Sequence, residues 1–159
     1  MDFPRIEQAL KISDEHLSSL TVSDATKAEI ESYFVSALTL LIISEYEQLI
    51  ESIFGQRADL CSDPYACSFI KVSLVRRFRS PDLGKLTEAL GHFGNDYKDK
   101  FSSKVINTDL HAAWDNIMRA RQAIVHKSGT LNLTFSELTN SYKKTKEVLE
   151  ALRTSMGLP

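Results

Sequence analysis

Tyr33-Phe34-Val35-Ser36-Ala37-Leu38-Thr39-Leu40-Leu41-Ile42-Ile43-Ser44-Glu45-Tyr46-Glu47-Gln48-Leu49-Ile50-Glu51-Ser52-Ile53-Phe54 is the stretch on which the fold turns. Val35, Leu38, Ile42, Leu49 and Ile53 make one apolar stripe at helical spacing, and Leu40, Ile43, Ile50 and Phe54 make a second. An arc that wide belongs to a central helix packed on several sides. Ser23 or Asp24 is placed to cap it, and Gly55 to end it. Thr39 and the pair Ser44-Glu45 interrupt the apolar run, so it stays short of the roughly eighteen unbroken apolar residues of a membrane span. A buried helix is expected, with no membrane partner.

The same signals recur on either side of this helix. Ser62 or Asp63 followed by Pro64 starts a helix, because proline loses nothing in the first turn. Ser80-Pro81 repeats the device and opens a helix from Asp82 to Phe93, stopped by Gly94. Asn107 is a candidate cap for the helix carrying Trp114, Ile117, Ala120 and Ile124, with Gly129 as its end. Thr134 and Glu137 have capping-box spacing. The helix they open shows Phe135, Leu138, Tyr142, Leu149 and Leu152 on one face. Strand patterns, repeats and linkers are missing from the sequence. The expectation is an all-α fold, a single up-and-down bundle of about five to seven helices over residues 1–159.

Composition narrows the function classes. A chain of 159 residues, 43% hydrophobic, can bury a core without metal or disulfide staples. Cys61 and Cys67 have neither zinc-knuckle nor redox spacing, and Met1-Asp2-Phe3-Pro4 lacks the order of a secretory signal. Reduced thiols and a cytoplasmic location are expected. The net charge of −2 hides an asymmetry: residues 1–60 hold eleven acids against four bases, and residues 61–159 ten against fifteen. Such a split suits a transient contact with a polyanion on one side of the protein.

The chemistry concentrates in Arg121-Gln122-Ala123-Ile124-Val125-His126, near the end of a predicted helix. Arginine can hold a phosphate and histidine can move a proton, the two needs of RNA cleavage without a metal. Five residues turn an α-helix through about 500°, so Arg121 and His126 diverge by roughly 140°. One helix cannot aim both at one atom; a two-fold axis brings two copies of each into one cleft. Spacing alone favours a plain helix end, since Arg and His often fall five residues apart and Lys127 follows as helix ends commonly prefer.

Residues Asp115 to Gly129, with Arg121 and His126 inside them, resemble the R-x4-6-H helix of the HEPN superfamily. The helix Tyr33 to Phe54, with Ser44-Glu45-Tyr46-Glu47, is similar as well. Arg76-Arg77-Phe78-Arg79-Ser80-Pro81 through Leu90-Gly91-His92-Phe93-Gly94 resembles the RiboL-PSP-HEPN subgroup. The resemblance spans about Ser23 to Leu152. It implies a metal-independent RNA endonuclease, dimeric, working as a toxin or phage-defence effector beside an antitoxin or companion protein. Arg121 and His126 would then be catalytic, with no cofactor and no metal. Gln122 departs from the commoner Asn, Asp or His by keeping polarity on a longer side chain. The alternative is a non-catalytic HEPN module that binds RNA, nucleotide or a partner protein.

Around this pair the readings are less exclusive. Glu45 and Glu47 both fall in the apolar arc, where unpaired carboxylates are costly. Either can orient Arg121 or His126, or serve a structural ion pair with a buried arginine; Glu47 is preferred because it follows Tyr46 directly. Lys71, Arg76, Arg77 and Arg79 lie in a stretch, residues 64–81, with no acid. Arg76, Arg77 and Arg79 are assigned to RNA together with Gln122 and Lys127, since arginine grips phosphate bidentately. Phe69 and Phe78 can stack on bases, but with Leu74 they are read as core. His111 and Asp115, one turn apart, are read as a surface pair because no third metal ligand has suitable spacing.

Overall fold

A computed structural model of the chain describes residues 1–75, 78, 81–126 and 132–158, without the side chains of Leu74 and Val75. Seven helices and no strand occur among the described residues: α1 Pro4–Ser19, α2 Asp24–Ala58, α3 Pro64–Val75, α4 Leu83–Phe93, α5 Asn95–Val105, α6 Asp109–His126 and α7 Phe135–Ser155. The all-α expectation holds. Helix α2, 35 residues and about 52 Å long, is the spine against which α1, α3, α6 and α7 pack. Helices α6 and α7 form the most extensive pair, while α4 and α5 pair with each other and reach the bundle chiefly through α5 on α7.

Local chemistry explains the boundaries. The Ser23 hydroxyl accepts from the Thr26 amide, Asp63 accepts from the Tyr65 amide, and Asp82 accepts from the Lys85 amide, each satisfying an orphan donor of a first turn. Thr134 and Glu137 make the full reciprocal capping box of α7. Gly94 ends α4 with a φ of 152°, a region open to glycine, and its amide still bonds the Leu90 carbonyl. Three expected boundaries differ. Helix α4 starts at Leu83 with Asp82 as its cap, so Pro81 stays outside the helix it was expected to open. Helix α2 runs through Gly55 to Ala58, because Ala58 is buried and repays another turn. Thr108, not Asn107, caps α6 through a 3.2 Å bond from the Leu110 amide, while Asn107 takes a φ of 61° in the turn before it. Gly129 lies outside the described residues.

Length and composition alone would let α2 cross a membrane, but its apolar side chains go into the protein core. Val35, Leu38, Ile42, Ile43, Ile50, Ile53 and Phe54 are all buried there. Leu40, placed in the second stripe, is instead 43% exposed, so the arc closes on one side before reaching it.

The centre of the core is aromatic. Tyr46 of α2 stacks on Trp114 of α6, centroids 5.5 Å apart and planes within 15°, and Phe3 leans on its other side at 5.3 Å. The Tyr46 hydroxyl lies 2.6 Å from Thr145 Oγ1 of α7. Thr145 spends its single proton on the Tyr142 carbonyl, so Tyr46 is the donor. Burial pushes the Tyr46 phenol far above its ordinary pKa, and it stays neutral. Trp114 Nε1 donates to the Pro81 carbonyl at 3.0 Å, and Phe78 stacks on Phe54 at 4.6 Å. These two contacts hold the chain between α3 and α4 against α6 and α2.

Thr145→Val keeps the shape and removes the acceptor, leaving a buried phenolic donor unpaired at a cost of about 1–3 kcal/mol. Thermal melting should fall by roughly 2–9 °C for a chain of this size. Thr39 is the opposite case: its Oγ1 is buried with no partner among the described residues. Thr39→Val should raise the melting temperature by a few degrees, by about 1 kcal/mol, and calorimetry of both variants checks the pair.

Candidate active site

Helix α6 sets the geometry of the candidate site. Ala113, Trp114, Ile117, Met118 and Ala120 are buried and define its inward arc. At about 100° per residue, Arg121 falls in the middle of that arc and His126 roughly 140° round from it. Arg121 is accordingly half-buried, and His126, the last helical residue, is exposed. Gln122 lies between them, exposed.

The outer face of α6 is a polar stripe that ends at His126. His111 Nε2 lies 3.6 Å from Asp115 Oδ2, and Arg119 reaches the same oxygen at 3.4 Å. His111 and Asp115 are thus a surface pair on the flank of the helix, with His111 Nδ1 accepting from the Asn107 amide at 3.3 Å, and no group of three metal-ligating side chains occurs among the described residues. Arg119 therefore has an anionic partner. Arg121 does not: among the described residues neither Arg121 nor His126 makes a hydrogen bond or ion pair. A guanidinium carries five donors, and one that is half-buried beside apolar packing but unpaired is suited to an anion from outside. Val125, on the same arc as Arg121, is 49% exposed.

The two glutamates of α2 separate. They do not share the apolar arc but lie on its two edges, about 160° apart. Glu45 turns to α1 and pairs with Arg5 at 2.7 Å, a structural ion pair, though with a largely exposed arginine and not a buried one. Glu47 is half-buried on the other edge of the helix that α6 packs against, directly after the Tyr46 that Trp114 covers. Of the RNA-assigned residues, Arg76, Arg77, Arg79 and Lys127 lie outside the described residues. The phenylalanines of the basic stretch part company: Phe78 is buried as expected, but Phe69 is 74% exposed. Among the described residues helix α3 packs mainly against α2.

One exposed ion pair joins the start of α6 to α7. Asp109 bonds Lys144 of α7 at 2.7 Å, which lowers its pKa. Glu137 is lowered by its bond from the Thr134 amide, and Glu7 by its bond from Lys146, which spans α1 and α7. Because these folded-state values are depressed, their stabilisation is complete above the unfolded carboxylate pKa and is lost as pH falls through the folded one.

A fold of this order, with an arginine and a histidine closing the helix before the last, defines a HEPN-type module. The RiboL-PSP-HEPN family matches residues 5–157, from α1 to beyond the end of α7, and the chain belongs to that family. No curated protein and no solved structure matches it.

Melting temperature should decline as pH drops below about 4.5, the ordinary value for Glu137. Glu137→Gln should melt lower than the parent at pH 7, and the gap should narrow towards pH 3 as the parent's carboxylate protonates. A gap independent of pH, in melts followed by circular dichroism, would show that the Glu137 charge contributes nothing.

Proposed function

We propose that this HEPN module is a metal-independent RNA endonuclease, working as a cytoplasmic homodimer in a toxin or phage-defence role with a cognate antitoxin or companion protein. One observation carries the reading: a half-buried Arg121 without an anionic partner among the described residues, five residues before an exposed His126 at the end of the same helix. The divergence of the two side chains calls for a second copy, and the exposed Val125 beside Arg121 offers that copy apolar surface.

The chemistry follows from the residue types. A neutral imidazole takes the proton of a ribose 2′ hydroxyl, whose oxygen attacks the adjacent phosphorus. The bond from phosphorus to the 5′ oxygen breaks, and an imidazolium, the second copy's, protonates that oxygen. Arg121 neutralises the charge that builds on the phosphoryl oxygens. Glu47 is assigned to orient this pair from α2, and Gln122, Lys127, Arg76, Arg77 and Arg79 to hold neighbouring phosphates. Products are a cyclic or 3′ phosphate and a 5′ hydroxyl.

Purified protein incubated with total cellular RNA in EDTA should generate those ends. His126→Ala should lower the rate by about 10²–10⁴-fold, and Arg121→Ala by roughly 10²–10³-fold, with helix content unchanged. Unaltered cleavage by either variant overturns the assignment; RNA binding without scission by the parent protein leaves a binding module.

A further inference from the structure

Cys61 and Cys67 lack the spacing of a paired-thiol motif, but the junction of α2 and α3 brings them to one place. The chain turns at Asp63, the cap of α3, and both cysteines line one surface cavity of about 550 Å³ with Asp59, Ser62, Ser68 and Lys71. Cys61, in the linker 59–63, is exposed, while Cys67, at the start of α3, is half-buried. The Cys67 thiol donates to the Ala58 carbonyl at the end of α2, and its sulfur lies 3.8 Å from the Cys61 carbonyl oxygen.

A cysteine kept for packing is among the most buried of side chains. Cys61 is not buried. An exposed thiol with a second thiol beside it is the arrangement by which oxidation is captured reversibly. Reach decides whether the two can join. A carbonyl oxygen sits about 2.4 Å from its own α-carbon, so the Cys67 sulfur is within roughly 6 Å of the Cys61 α-carbon. A disulfide sets the α-carbons about 4.4–6.8 Å apart, and any closure still needed is at most about 2 Å. It falls on the linker, whose backbone belongs to neither helix.

We propose that Cys61 and Cys67 are a dithiol site that hydrogen peroxide converts to a reversible intramolecular disulfide. The Cys61 sulfur attacks one peroxide oxygen; the O–O bond breaks, an S–O bond forms, and the departing hydroxide takes the thiol proton to become water. The Cys67 sulfur then attacks the Cys61 sulfur. The S–S bond forms, the S–O bond breaks, and a second hydroxide leaves as water with the Cys67 proton. Two thiols lose two electrons, and the peroxide gains them. Closure also ends the thiol's bond to Ala58, whose carbonyl still accepts from the Cys61 amide at 2.9 Å in the reduced protein. The first turns of α3 are then tied to the linker instead. This site is independent of the RNA reading above.

The full chain has two cysteines, so mass spectrometry reads the site without ambiguity. Protein reduced with dithiothreitol, desalted and treated with hydrogen peroxide should become two hydrogens lighter as a monomer. It should take up no N-ethylmaleimide and keep its helical circular dichroism, and dithiothreitol should restore labelling at both thiols. Cys67→Ser should stop at the sulfenic acid on Cys61, which dimedone traps, whereas the parent should give little adduct. Cys61→Ser should be oxidised much more slowly, because its remaining thiol is half-buried. Equal dimedone adduct on the parent and on Cys67→Ser overturns the pair. So does a sulfinic acid at Cys61, a disulfide-linked dimer, or closure only where helix content is lost. Should either variant fail to fold, the mass and labelling of the parent decide alone.

Discussion

Tyr46 is the group on which the arrangement depends. It has no exposed surface, and each of its faces and its hydroxyl is taken by a different part of the chain. Trp114 lies flat on one side, Phe3 tilts against the other, and Thr145 receives the proton. Stacking is what fixes α6 in rotation about its own axis. Once Trp114 faces Tyr46, the 3.6-residue period leaves no freedom two turns later: Arg121 must face inward and His126 outward. The chemistry at the end of α6 is thus positioned by an aromatic contact seven residues upstream of the arginine. A loop could place the same two side chains, but not with this rigidity.

From that rigidity comes the division of the site. Even the exposed Arg119 of α6 has a carboxylate beside it, Asp115, which lies close to His111 as well. The half-buried Arg121 has none among the described residues. Leaving a half-buried guanidinium without a counter-ion costs stability, and on the proposed reading an anionic substrate would supply one. Glu45, an acid on the spine helix that might have met it, is turned away to Arg5 on α1. The charge asymmetry between residues 1–60 and 61–159 points the same way: the basic part of the chain carries both the α6 motif and the arginine stretch before α4.

Much of this was legible in the residues, and the exceptions share a cause. Caps are local, so Ser23, Asp63 and the Thr134–Glu137 box could be read from spacing and hydrogen-bond chemistry alone, while the Ser80-Pro81 signal misplaced the α4 start because Asp82 takes the cap. The helical period is also local, and it placed Ile42, Ile53, Trp114 and Leu149 in the core. What periodicity cannot tell is whether a face has a neighbour to pack on. Leu40 and Phe69 both sit at spacings that suit burial, and both are exposed, with no described helix covering them. Glu45 and Glu47 looked equivalent by composition, yet two positions of α2 turn about 200° and give them to different edges. Gly55 failed as a stop because a terminator competes with the tertiary gain from the next turn, and buried Ala58 decided the contest.

On the proposed nuclease reading, the pair on α6 would meet only part of what the reaction needs. Attack by a 2′ hydroxyl requires its oxygen, the phosphorus and the leaving 5′ oxygen to approach a line, and that alignment is a large part of the barrier. A regular A-form helix holds the sugar and phosphate away from it, whereas an unpaired nucleotide can rotate into it. An enzyme with only an arginine and a histidine supplies proton transfer and charge, and little force to bend a duplex. On the proposed reading, binding that selects strands already free to rotate would do part of the catalytic work before the phosphate reached Arg121.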